Sequence, residues 1–294
     1  MQNALIIRDS ENSEKPIAVS GIKTLHKREE NLKKSVLELE SHIENELTYW
    51  ESNGEPRRVL LVVNSYADVK VVGAALEGSD KWRNRFRLLS QENKKDEKWY
   101  PRTIIEKFHE VDADILVAPM LAISRGYNIM DKDGTGALFG SAYFLIRPYP
   151  VPNDLSYFVQ VLHGNLPVFL DDIDKENLVY GDAMTKLRTK SRGLFEVMYR
   201  KPEFWSLLSE KERIVLAWYT FIPTWQLIGR LLRGGKNARI FYCDAKFHQT
   251  NNGTPSLLAY WEKLMINHEN PLFNSLYGPF KNSIQEAMKE EVYY

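Results

Sequence analysis

The sequence predicts an α/β protein in which helices cover both faces of a parallel sheet. Val59–Val63 and Asp114–Ala118 are short, continuous apolar runs, typical of strands that are buried on both faces. Amphipathic helical segments lie between these runs, and strands that alternate with helices favour a parallel sheet. With 294 residues and 44% hydrophobic residues, the chain is long enough to bury a sizeable core.

The predicted elements follow one another at regular intervals. From Glu29 to Trp50, apolar residues recur in steps of three and four, which predicts one amphipathic helix that ends at Asn53–Pro56. The remaining predicted elements, in chain order, are the helix Asp68–Glu77, the short strand Phe86–Leu89, the helix Arg102–Glu110 opened by Pro101, a strand within Leu138–Arg147, and the strand Arg239–Cys243. Pro119 is expected to break the Asp114–Ala118 strand.

Three regions are expected along the chain. Residues 1–28 form an N-terminal extension, of which 1–21 are expected to be loose or paired as an extended segment. Residues 29–250 form the main domain, and residues 251–294 form a helical tail. A helical insertion at 155–222 interrupts the main domain. It either covers one end of the sheet or presents a surface to another protein.

Composition excludes several classes of protein. The 39 basic and 39 acidic residues cancel, so any nucleic-acid site must be local. The single cysteine, Cys243, excludes an intrachain disulfide and an iron–sulfur cluster, and six scattered histidines predict no metal site. No apolar run is long enough to span a membrane, and the polar N-terminus does not resemble a secretory signal, so we expect a cytoplasmic protein.

The segment from Gln226 to Arg233 carries the strongest chemical signal. Arg230 and Arg233, three residues apart, are expected on one face of a helix, and Gly229 allows another surface to approach the backbone. Two planar guanidinium groups suit a cluster of phosphate oxygens. The plainer alternative is a basic face on an ordinary helix.

Candidate segments follow four of the predicted strands. Ligands bind at the carboxyl ends of the strands in parallel α/β sheets, so these segments are candidate sites. In chain order they are Asn64-Ser65-Tyr66, Arg125-Gly126-Tyr127-Asn128-Ile129, Pro148–Asp154, and Asp244 after the last strand.

Taken in this order, the segments resemble the second RecA-like domain of superfamily 2 helicases of the DinG/XPD-type branch. The resemblance covers about Ser35–Phe247 and implies a RecA-like (P-loop NTPase-type) fold. In such helicases ATP and Mg²⁺ bind between two RecA-like domains, and the second domain supplies arginine fingers worth about 10³–10⁵ in rate.

The resemblance assigns roles to ten residues. Arg230 and Arg233 would act as the fingers on the γ-phosphate. Nucleotide-side roles fall to Gln226, Gly229, Gly126 and Asn128, and nucleic-acid contacts to Asn64, Ser65, Tyr66 and Arg125. The expected nucleic acid is single-stranded DNA.

Two departures from the family pattern limit these expectations. The chain contains neither a G-x-x-x-x-G-K-[ST] loop nor a D-E-x-H-like box, so it should need a P-loop-bearing domain or subunit to hydrolyse ATP. Asn128 also stands where the family commonly has an acid.

Two functions therefore stay open. One is the C-terminal motor half of a helicase or translocase. The other is a catalytically inert RecA-like scaffold that binds nucleic acid or protein in a repair or defence complex. A metabolic enzyme is disfavoured because no nucleophile–base pair appears. Two basic runs, Lys81–Arg87 and Lys186–Arg192, could either follow a phosphate backbone or form solvated faces.

Overall fold

A computed structural model describes residues 5–10, 12–92, 97–149, 155–200, 205, 208–248, 256–266 and 271–289. The chain divides into two compact units, one formed by 1–148 together with 221–294 and the other by 149–220. Among the described residues, no helix combines the length and apolarity needed to cross a membrane.

The first unit alternates strands and helices. Its strands are β1 (Arg8–Asp9), β2 (Asn12–Pro16), β3 (Arg58–Val63), β4 (Phe86–Ser90), β5 (Trp99–Pro101), β6 (Ile115–Pro119), β7 (Phe139–Phe144) and β8 (Arg239–Tyr242). Its helices are α1 (Leu25–Glu38), α2 (Glu40–Ser52), α3 (Tyr66–Gly78), a 3₁₀ helix (Arg102–Glu110), α4 (Met120–Ile123), α8 (Leu257–Ile266) and α9 (Pro271–Lys289).

Six of the strands form one parallel sheet in the order β5-β4-β6-β3-β7-β8. The predicted α/β class with a parallel sheet is confirmed, and the arrangement is consistent with a RecA-like α/β fold. β3 lies at the centre, with Val63 level with Pro119 on one side and Val62 level with Phe144 on the other. Pro119 is thus the last residue of β6, and the strand ends there.

Both faces of this sheet are buried. Alternate residues of β3, Val59, Leu61 and Val63, belong to a core shared with α1, α2, α3 and the N-terminal segment. The opposite face packs against other elements: Phe139 lies 5.9 Å from Phe108 of the 3₁₀ helix, between ring centroids. Tyr242 of β8 similarly lies 6.0 Å from Trp261 of α8.

Two predicted helices differ from the observed ones. The helix predicted at Glu29–Trp50 begins earlier, at Leu25, and is divided at Leu39 into α1 and α2. The segment Arg102–Glu110 is a 3₁₀ helix, and Pro101 ends β5 rather than opening the helix. Pro101 stays extended because it is level with Ser90 in the sheet.

The N-terminal segment is part of the core and is bound to the end of the last strand. Val19 N and Ser20 N donate hydrogen bonds to the Asp244 carboxylate at 3.2 and 2.9 Å. The same buried carboxylate accepts from Arg147 N at 3.1 Å and Lys246 N at 3.0 Å. Asp244 therefore joins three segments that are far apart in the sequence.

The second unit is helical, as the sequence predicts. It contains α5 (Leu155–Lys175), α6 (Tyr180–Arg200) and the first part of α7 (Glu210–Leu231), which continues into the first unit. Lys186 and Lys190 of α6 form ion pairs with Glu176 and Asp172.

Candidate functional site

Two of the predicted motifs lie side by side in the first unit. Arg125 Nε, in the loop after α4, donates a hydrogen bond to Gln226 Oε1 of α7 at 3.0 Å. One turn further along α7, Arg230 Nε donates to the Ser124 carbonyl at 3.0 Å. The loop that follows β6 is thus bound along the end of α7.

A third contact extends this pairing past the end of the helix. The Arg233 guanidinium donates to Asn128 Oδ1. The prediction that Arg230 and Arg233 share one helix is wrong, because α7 ends at Leu231 and Arg233 begins a 3₁₀ turn. Both guanidinium groups nevertheless contact the same loop.

The turn after Arg233 requires glycine. Gly234 has φ of +72°, and a Cβ atom at this position would lie 2.0 Å from the Thr135 carbonyl oxygen. The Arg233 carbonyl accepts from Ala137 N at 3.2 Å. The tight turn at Gly234 and this hydrogen bond together fix the position of Arg233 beside the start of β7.

A buried arginine, Arg57, also binds the end of α7. Arg57 Nη2 donates to the carbonyls of Leu231 and Phe139 at 2.9 and 2.5 Å, and Arg57 Nε donates to the Ala137 carbonyl at 3.1 Å. Burial lowers the pKa of Arg57 to about 10, so the side chain stays charged at neutral pH. No sequence motif marks Arg57, whose hydrogen bonds all go to backbone carbonyls distant in the sequence and whose guanidinium also lies 4.9 Å from the centre of the Trp50 ring.

An acid from the 3₁₀ helix completes the site. Glu106 Oε1 accepts from Asn128 N at 2.6 Å. Burial and the charge of Arg233 lower the pKa of Arg230, and Glu106 partly opposes this effect. Glu106 thus brings a carboxylate to the loop that contains Asn128. Sequence reasoning missed Glu106 because only tertiary structure brings it there.

The two glycines of the motifs behave differently. Gly126 has φ of +83°, in the left-handed region that favours glycine, so the turn after Arg125 depends on it. Gly229 is helical and exposed, and a Cβ atom there would meet nothing within 4 Å. No described part of this chain approaches Gly229, and the surface beside Arg230 is open.

The residues after β3 lie at the carboxyl edge of the sheet and are engaged locally. Asn64 Nδ2 donates to the Arg147 carbonyl at 2.9 Å. Ser65 is the N-cap of α3: its hydroxyl accepts from Asp68 N at 3.2 Å and donates to Asp68 Oδ2 at 2.8 Å. The predicted phosphate donor Ser65 therefore already has an internal acceptor.

Tyr66 connects this edge with the loop that contacts α7. Burial raises the pKa of the half-buried Tyr66 hydroxyl, and the neighbouring Arg102 charge opposes the shift. The Arg102 guanidinium in turn lies 5.3 Å from the centre of the Tyr127 ring. Arg102 thus stands between the two predicted groups of residues.

The other predicted features contribute less. Within Pro148–Asp154, residues 150–154 lie outside the described part of the chain. In the basic run Lys81–Arg87, Trp82 is fully buried and cannot stack on a base. Arg85 of that run contacts Asp114 at 2.6 Å, so its guanidinium is engaged within the chain.

A cavity of about 610 Å³ opens elsewhere, at the amino edge of the sheet. Its lining includes Arg58, Arg85 and Asp114, but none of the predicted site residues. Within the described ranges, no group of three or more His, Cys, Asp or Glu side chains is placed to hold a metal ion.

The chemical capacity of the site follows from its charges. Arg230 and Arg233 are permanent cations beside an open surface, and the loop contacts leave part of each guanidinium fork for an external anion. The arrangement suits a phosphate group presented by another molecule. Comparison with family models, with curated proteins and with solved structures gives no match.

Proposed function

We propose that this chain is the C-terminal motor half of an ATP-dependent nucleic-acid helicase or translocase. The observation that carries the proposal is the set of contacts joining Gln226, Arg230 and Arg233 to the Arg125–Asn128 loop beside the open surface at Gly229. Residues from two separate motifs meet there, and both guanidinium groups have fixed positions.

In this proposal the chain supplies charge to a reaction whose other groups belong to a partner. A P-loop-bearing domain or subunit would hold ATP and Mg²⁺, and the metal would neutralise phosphate charge. Arg230 and Arg233 would stabilise the charge that develops on the γ-phosphate, an effect worth about 10³–10⁵ in rate. Fixed arginines are effective because little reorganisation is then needed in the transition state.

The loop contacts also offer a route between nucleotide and nucleic acid. Asn128 contacts Arg233, its neighbour Tyr127 contacts Arg102, and Arg102 lies beside Tyr66 at the carboxyl edge. A shift of Arg233 would thus be transmitted to the carboxyl edge of the sheet, where Asn64 and Tyr66 are proposed to bind single-stranded DNA. A cytoplasmic location is part of the same proposal.

The inert scaffold is a second candidate, favoured by a specific observation. Arg125, Arg230 and Arg233 each donate to a group of this chain, so a structural role would account for these bonds. The Ser65 hydroxyl is likewise used in a helix cap. A scaffold would need neither an ATP-binding partner nor an open surface at Gly229.

The test begins with the DNA upstream of the Met1 codon, translated in all frames. A chain with a P-loop and an acidic box should be found there, co-purify with this protein and hydrolyse ATP with it. Arg230→Lys should then lower hydrolysis by about 10³ or more, because lysine cannot replace the planar fork. Arg83→Lys, at an exposed arginine paired with Asp80, should leave hydrolysis unchanged. Absence of such a chain, or full activity of Arg230→Lys, would favour the scaffold.

A further inference from the structure

Helices α5 and α6 form a hairpin whose first edge is closed by ion pairs. Lys186 pairs with Glu176, and Lys190 pairs with Asp172. The ammonium of Lys190 also lies 5.5 Å from the centre of the Phe169 ring. The two pairs show that the helices are antiparallel and fix their register, with residue 190 level with 172 and residue 186 level with 176.

The hairpin has very little core of its own. Among the side chains of α5 and α6 that the structure describes, only Ile173 is buried. The other apolar residues of the seam between the two helices, among them Leu166, Met184 and Leu187, are half-buried. Helices in proteins gain most of their stability by packing an apolar face. The seam therefore needs a further layer to cover it.

An open apolar face lies on the side of the seam away from the ion pairs. Val159 and Leu170 of α5 are 51% and 46% exposed, and Tyr180 at the start of α6 is 80% exposed. With 3.6 residues per turn, Val159 and Leu170 lie within about 60° of Ile173, on the side opposite to Asp172. These three exposed residues and the charges that border them are here called the open face.

One charge of each sign borders the open face. Asp174 lies one turn beyond Leu170 in α5, and Arg188 lies one turn beyond Met184 in α6. Both side chains are exposed, and neither forms an ion pair within the described ranges. The register of the hairpin makes Asp174 and Arg188 level with each other, but both point outward.

We infer that the open face binds the same face of a second copy of this chain, so that two hairpins form a four-helix bundle. A two-fold axis parallel to the helices places α5 of one copy over α6 of the other, antiparallel and at the heights found within one hairpin. Asp174 of each copy then faces Arg188 of the other, and symmetry gives the dimer two such pairs. Four helices enclose an interior that two helices leave open.

The charges select a second copy as the occupant. The open face carries both members of an ion pair at matching heights, so it is complementary to itself, which is the requirement of an isologous interface. This inference goes beyond the proposed function, since the contact needs neither ATP, nucleic acid nor the arginines of α7.

The experiment is analytical ultracentrifugation of the full chain over a concentration series at low salt. The wild-type chain should sediment as a dimer. Arg188→Glu and Asp174→Arg should each weaken dimerisation about tenfold or more, because each replaces both attractive pairs with like charges. An equimolar mixture of these two variants should dimerise like wild type. In the mixed dimer the introduced glutamate faces the introduced arginine, and the unchanged Asp174 faces the unchanged Arg188.

Two further variants test the apolar part and the specificity. Leu170→Glu should weaken dimerisation about 100-fold, since two buried leucines are lost from the interface. Lys175→Glu is the matched control: it reverses an exposed charge next to Asp174 on the outer side of α5 and should leave dimerisation unchanged.

Four results would overturn the inference. They are a wild-type chain that stays monomeric at every concentration, charge variants that dimerise like wild type, a mixture of the two variants that stays monomeric, or an equal loss in Lys175→Glu. Circular dichroism checks that each variant is folded, and the mixture distinguishes a lost contact from a misfolded chain because only folded variants can restore the dimer.

Discussion

Replacing Gly229 by alanine separates the stability of the fold from the proposed interface. Gly229 lies inside α7, is exposed, and has nothing within 4 Å of an added Cβ atom. Alanine is favoured over glycine in a helix by about 0.8–1 kcal/mol, so the free energy of unfolding should rise by that amount. For a chain of this length the melting temperature should rise by about 2 °C.

The same methyl group should impair the proposed motor. If a P-loop-bearing partner packs closely beside Arg230, the added methyl holds the two surfaces apart. A misplacement of about 1 Å can lower a rate on the order of 10²-fold. Thermal unfolding of the chain and ATP hydrolysis by the complex should therefore change in opposite directions.

A matched control is Gly164→Ala in α5, where an added Cβ atom also meets nothing within 4 Å. It should raise stability without changing hydrolysis. Full hydrolysis by Gly229→Ala would show that the open surface is not a close interface with the partner.

Three further predictions concern the chain alone. Glu106→Ala should speed hydrogen exchange of the Asn128 amide about tenfold, because the amide loses its acceptor. Glu106→Gln keeps an acceptor and should leave the amide protected. Equal exchange in both variants would contradict the hydrogen bond between Asn128 and Glu106. Asp244→Asn should lower the free energy of unfolding by roughly 3 kcal/mol in urea titrations, since an amide leaves several buried N–H groups poorly paired. A loss below about 1 kcal/mol would show that other contacts hold the N-terminal segment in place. Burial, followed by the charge of Arg239, lowers the pKa of His42 to about 4, so between pH 6.5 and 4 the unfolded chain binds a proton that the folded chain does not. The free energy of unfolding should therefore fall as the pH is lowered through that window, and His42→Gln should reduce this fall by at most about 3 kcal/mol. Parallel profiles of unfolding free energy against pH for the two proteins would contradict the shift at His42.

The central strands could be predicted almost to the residue. The observed β3 begins one residue before the predicted Val59–Val63, and β6 is shifted by one residue at both ends from Asp114–Ala118; the agreement is close because a continuous apolar run has a local signature. The N-terminal segment has no such signature. Its place in the core depends on bonds to Asp244, more than 220 residues away. The choice of a 3₁₀ helix at Arg102–Glu110 is likewise a matter of packing.

The sequence could predict that the two main motifs belong together, but not which other residues hold them in place. The resemblance placed Arg230 and Asn128 on the nucleotide side of one site, and in the structure Arg230 contacts Ser124 and Arg233 contacts Asn128 in the same loop. Glu106 and Arg57 have no motif, since their roles consist of contacts with backbone atoms of distant segments. Charged residues beside a strand or on an amphipathic helix are too common to single out.

The proposed function assigns to Arg230 a role in the transition state of ATP hydrolysis catalysed with a P-loop-bearing partner. The most direct measurement is kcat, together with the Kd for ATP, of the complex carrying Arg230→Lys. We expect kcat to fall by about 10³ or more while the Kd for ATP changes little, because a finger contributes chiefly when charge develops on the γ-phosphate. An unchanged kcat, or a loss confined to ATP affinity, would contradict it.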